Sequence, residues 1–94
     1  MFIINLEYIA SLEEIEKNLQ AHRDFLELHY QKGLLLASGP QNPRTGGIII
    51  ALGQDRSAVE TMIKEDPFTK ANITRYTITE FSAVKYRPEI KDLI

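Results

Sequence analysis

The sequence predicts an α+β fold in which one antiparallel sheet of four strands carries two helices on the same face. Three observations lead to that prediction. Phe2, Ile4, Leu6 and Tyr8 alternate with a row that turns polar at Asn5 and Glu7, the period of a strand with one buried face. Between Ser11 and Lys32 the apolar residues recur at every third or fourth position, the period of an amphipathic helix. The segments follow one another in the order β-α-β-β-α-β with short connections.

The first strand covers residues 2–9. Ser11 is a good N-cap, and Glu14 completes a capping box, so the first helix starts there. Leu12, Ile15, Leu19, Leu26 and Tyr30 form its inner stripe, and Gly33 is its stop. Leu34 to Ala37 is a short, continuously apolar strand. From Gly39 to Gly47, Gly and Pro residues mark a turn-rich loop. Ile48 to Leu52 is another buried strand. Asp55 or Ser57 caps a second helix with Val59, Met62 and Ile63 inward, and Pro67 ends it or starts a new short turn. Ile73 to Val84, rich in Thr, Tyr, Ile and Phe, is the longest strand. The tail from about residue 86 is loosely held. Right-handed crossovers close this order into the ferredoxin-like βαββαβ sandwich. The sheet face without helices would carry Ile3, Ile9, Ile49 and either Tyr76 or Thr77, depending on register. Two copies stacked sheet to sheet would cover that apolar surface.

At 94 residues the chain is one domain, 1–94. Its 44% hydrophobic and 26% charged residues have the balance of a globular protein. A domain of this size buries only roughly 60–65% of its unfolded surface, so burial in a homodimer would add stability. The absence of cysteine excludes disulfides and thiolate chemistry. The first residues lack a basic segment and include Glu7, unlike a signal peptide, and no apolar run approaches the roughly 18 residues of a membrane span. The expectation is a cytoplasmic protein without a membrane partner. The net charge is −2 with both signs interspersed. Lys85, Arg87 and Lys91 are the nearest approach to a basic cluster and belong to a solvated tail, so no nucleic acid partner is expected.

Three islands carry the chemistry: His22 in the first helix, Ser38-Gly39-Pro40 after an apolar strand, and Asp66-Pro67-Phe68 at the end of the second helix. His22 lies on the rim of the core stripe, where it is either a half-buried, satisfied histidine or a general base. Pro67 holds Asp66 out of the helical conformation, which suits both a turn cap and a carboxylate that orients a histidine. His29 follows His22 by two turns, about 10 Å along a helix, too far for two ligands of one metal. With no Cys and no His-x3-His pair either, no metal is expected, and proton transfer by a His-Asp pair needs no cofactor. Ala37-Ser38-Gly39-Pro40 lacks the context of a serine nucleophile, which makes Ser38 a hydrogen-bonding wall. Gly39 and Pro40 would shape a turn whose N–H groups are free to meet an anionic oxygen. Arg44 is either a solvated charge or a clamp for a substrate carboxylate.

The run His22-Arg23-Asp24-Phe25-Leu26, Gly33 followed by Leu34 to Pro40, Pro43-Arg44-Thr45-Gly46-Gly47, and Asp66-Pro67-Phe68 together resemble the YCII-related family, from Phe2 to about Lys85. The resemblance implies a dimeric α/β-barrel related to the ferredoxin-like sandwich. It also implies an active-site His and Asp, matching His22 and Asp66, with Ser38 at the small-residue position before Gly-Pro. Many members carry an Arg three residues before the His, where this chain has Leu19. Relatives similar to muconolactone isomerases, and a dehydrochlorinase acting on a chlorinated lactone, imply proton transfer next to a carbonyl. The expected function is a cofactor-independent lyase or isomerase acting on a small molecule. His22 would be its base and Asp66 the group orienting that base. Ser38, Gly39, Pro40 and Arg44 would line the substrate site. The alternative is a non-catalytic small-ligand or regulatory binding module using the same pocket. The two differ in their tolerance of His22→Gln and Asp66→Asn.

Overall fold

A computed structural model describes residues 1–94. Its elements are β1 (Phe2–Tyr8), α1 (Leu12–Gln31), β2 (Leu35–Pro40), β3 (Gly46–Ala51), α2 (Arg56–Lys64), α3 (Pro67–Lys70) and β4 (Thr74–Glu80), followed by a 3₁₀ turn at Pro88–Leu93. The strands form one antiparallel sheet in the order β2-β3-β1-β4. Each helical connection skips one strand, β3 between β1 and β2 and β1 between β3 and β4. Both helical segments thereby lie over the same face, as a ferredoxin-like sandwich requires. No helix is long and apolar enough to cross a membrane.

Local signals account for the element ends. The Ser11 side chain accepts from the Glu14 amide at 3.3 Å and starts α1. Gly33, at φ +74°, takes the left-handed conformation that ends it. Asp55 caps α2 by accepting from the Ala58 amide at 2.8 Å. Between sheet and helices, Phe2, Ile4 and Leu6 of β1 meet Ile49 and Ala51 of β3, Ile15 of α1, Val59, Met62 and Ile63 of α2, and Phe68 of α3. Each large side chain fully buried in this way contributes about 1.5–3 kcal/mol relative to exposure.

Strand register corrects part of the sequence reading. Ile49 stands opposite Ile4, so its side chain joins the core face and not the open one. Ile48 and Ile50, half-buried, take that place beside Ile3, because their partners are Asn5 and Ile3. On β4, Thr77 and not Tyr76 faces outward, since Tyr76 pairs with Leu6. Ile9 lies beyond the end of β1. Leu12, expected on the inner stripe, is 51% exposed in the first turn of α1. β2 continues to Pro40, which shortens the expected loop, and β4 stops at Glu80 instead of Val84. The 3₁₀ turn of the tail buries no side chain.

Gly46 fixes the end of the β1–β3 ladder, opposite Glu7. A Cβ there would run into the Leu6 carbonyl oxygen, a backbone atom that cannot swing away. Gly46→Ala is expected to lower the urea midpoint at unchanged m, at a cost of about 1–3 kcal/mol for overpacking. The open face of Ile3, Ile48 and Ile50 generates a second expectation. Equilibrium sedimentation at micromolar concentration should give one species of twice 10.8 kDa. A monomer would contradict sheet-to-sheet stacking.

Candidate active site

A cavity of about 630 Å³ opens between α1 and the sheet. That volume lies within the range of small-molecule sites. Leu6 and Tyr8 come from β1, Glu16, His22 and Arg23 from α1, Ser38 to Pro40 from β2, and Phe68 from α3. Arg44 reaches it from the β2–β3 loop.

At one wall, His22 Nδ1 lies 2.8 Å from Asp66 Oδ1. Asp66 is wholly buried and His22 nearly so. The same Asp66 oxygen accepts from the Phe68 amide at 3.0 Å, because Asp66 is the N-cap of α3. Pro67 explains that position. It excludes αR backbone from Asp66, which sits at φ −62° and ψ 127°, and leaves its carboxylate facing the first amides of the turn. The imidazole also stacks on the Phe68 ring, with centroids 3.9 Å apart and planes 6° from parallel. Asp66-Pro67-Phe68 thus supplies both a carboxylate that fixes one ring nitrogen and an aromatic surface that fixes the ring plane. A carboxylate oxygen only accepts, so Nδ1 carries the proton of this bond in the neutral ring. Nε2 then carries the lone pair of the neutral ring.

The other candidates fall around the same cavity. Ser38 Oγ is 2.7 Å from the Tyr30 hydroxyl, which ties the end of β2 to α1. Gly39 and Pro40 are strand residues opposite Ile48 and Gly47, not a free turn. Proline has no N–H, and Gly39 belongs to the β2–β3 ladder, so the expected row of free amides is replaced by side-chain donors. Arg44 Nη1 pairs with Glu16 Oε1 at 2.6 Å. Hydrogen bonding to Glu16, and secondarily to Tyr8, holds the Arg44 guanidinium above its ordinary pKa. Glu16, Tyr8, Arg23 and Tyr30 escaped the sequence reading. Tyr8 and Tyr30 looked like core-face residues, Arg23 like part of a motif, and Glu16 meets Arg44 across 28 residues of chain. No three His, Asp or Glu side chains converge as a metal-binding set would.

With this geometry in place, known proteins supply a frame. A family model for the YCII-related domain matches residues 1–82. The chain belongs to the YCII-related family. Among solved structures it is similar to a 5-chloro-2-hydroxyhydroquinone dehydrochlorinase from Burkholderia phenoliruptrix AC1100 in complex with 2,5-dihydroxybenzoquinone. The identity is 24%, the match covers 86% of this chain and 92% of that one, and the TM-score is 0.75. At that identity the likeness is one of fold. By its name that dehydrochlorinase acts on a chlorinated hydroxyhydroquinone, an aromatic ring. No curated protein matches this YCII-related chain.

His29 lies away from the cavity, as its place two turns beyond His22 implies. It is buried against Phe25, with ring centroids 4.6 Å apart, and its Nδ1 has no partner. Burial, and then the nearby Lys32 charge, lower its pKa from 6.5, while Glu65 pulls weakly the other way. The folded state therefore binds this proton less readily than the unfolded chain. Stability is complete above pH 6.5 and falls as pH drops from there toward the lower folded value. Urea unfolding between pH 7.5 and 5 is expected to show that loss. His29→Gln should flatten it over this interval.

Proposed function

We propose that this chain is a cofactor-independent enzyme of the lyase or isomerase type, in which His22 moves a proton at carbon next to a carbonyl. The observation that carries this reading is the 2.8 Å contact between His22 Nδ1 and the fully buried Asp66, at the wall of a cavity of small-molecule size. Asp66 positions the ring and stabilises the imidazolium that forms when Nε2 takes a proton. The carbon–hydrogen electron pair passes into an enolate, whose oxygen meets the Ser38 hydroxyl across the cavity. In a lyase the enolate re-forms its carbonyl and a β-substituent leaves with its bonding pair. In an isomerase the imidazolium returns the proton at a different carbon. The named activity of the dehydrochlorinase, loss of hydrogen chloride from a ring bearing oxygen substituents, is support from a fold relative for the first course.

The test is exchange of carbon-bound hydrogen for deuterium in D₂O, followed by NMR over a panel of hydroxyquinones and unsaturated lactones. A substrate found in this way should lose about 10²–10⁴-fold in exchange rate with His22→Gln. Asp66→Asn should lose a substantial part of that factor, and near-native circular dichroism would exclude simple unfolding. Rates unchanged in both variants would remove the base. A ligand-binding module using the same cavity would then be the better description.

A further inference from the structure

The Arg44–Glu16 ion pair lies in the cavity wall and is open to solvent. Arg44 sits on the β2–β3 loop and Glu16 on α1, with the two side chains 38% and 52% exposed. Exposed pairs of this kind are weakly held and exchange readily with other anions. A guanidinium presents donors in a planar fork suited to the two oxygens of a carboxylate. Glu16 takes one of them, through Nη1. Arg23, on the same cavity wall, forms no ion pair. Two arginines thus face the cavity while one exposed carboxylate answers them. The other carboxylate near the site, Asp66, is buried behind His22.

We propose that Arg44 is the anion-recognition group of this cavity and that Glu16 is its resting occupant, displaced when a ligand bearing a carboxylate or an equivalent pair of anionic oxygens enters. The proposal deepens the reading of the site as a small-molecule enzyme by naming the charge class of its ligand. Glu16 acts as a built-in competitor. It keeps the guanidinium satisfied in the empty cavity and lowers affinity for every anion by the strength of the pair it forms. A neutral ligand of the same shape gains nothing from displacing it. The raised pKa of Arg44 agrees with a guanidinium that always has an oxygen partner at hand.

Benzoate and its neutral isostere benzamide separate the possibilities, titrated into the full chain and followed by NMR. Benzoate is expected to shift the Arg44 side-chain resonances and to bind more tightly than benzamide, with the difference shrinking as ionic strength rises. Glu16→Gln should tighten benzoate binding by about two- to five-fold, the range an exposed pair supports, and leave benzamide unchanged. Arg44→Gln should abolish the preference for benzoate. His22→Gln should preserve it, so the anion site and the proton-transfer reading fail separately. Equal affinities for benzoate and benzamide, no benzoate binding, or weaker benzoate binding in Glu16→Gln would each overturn the assignment.

Discussion

The Asp66 carboxylate ties the cap of α3 to the placement of His22 at the cavity. One of its oxygens caps α3 and holds His22, while the other, Oδ2, is buried without a partner. Burying an ionisable group with half its acceptor capacity unused is costly unless the bonds that remain are strong and well aimed. Both bonds depend on Pro67, which fixes the backbone of Asp66, and on α1 packing close enough to bring His22 within reach. The segment between α2 and β4 therefore serves two ends. It turns the chain back toward the sheet, and it supplies the orienting group for a histidine 44 residues earlier in the chain.

Aromatic packing makes that arrangement specific. A carboxylate alone would leave the imidazole free to rotate about the hydrogen bond. The Phe68 ring, itself fully buried and met edge-on by Tyr8 at 6.4 Å, removes that freedom. His22 is held by core residues, whereas the groups facing it across the cavity lie on the end of β2 and the following loop.

The two histidines show how environment and not residue type sets the outcome. They lie seven positions apart on one helix, and both are buried. His22 meets a carboxylate and borders a cavity. His29 meets Phe25, has an unpartnered nitrogen, and has its protonated form disfavoured by burial. A positive charge near a helix C-terminus is normally favourable. At His29 desolvation outweighs that attraction, so the residue behaves as part of the core.

The sequence by itself determined the order of elements, the start of the first helix at Ser11, the stop at Gly33 and the single antiparallel sheet with its helices on one face, and it narrowed the cap of the second helix to Asp55 or Ser57. These follow from local periodicity, capping and chain connectivity, all of which are encoded within a few residues. It also singled out His22 and Asp66, through a histidine on the rim of a core stripe, an aspartate before proline at a helix end, and the resemblance of both runs to the YCII-related family. Tertiary structure alone decided which isoleucines of β3 face the core, since sliding a strand by one residue inverts every side chain and no local signal sets that register. It likewise decided that Asp66 reaches His22, that Tyr30 holds Ser38 and that Glu16 occupies Arg44. Each of these contacts joins side chains from different elements, so it depends on how α1 lies across the sheet, a relation that is fixed only when the whole core packs.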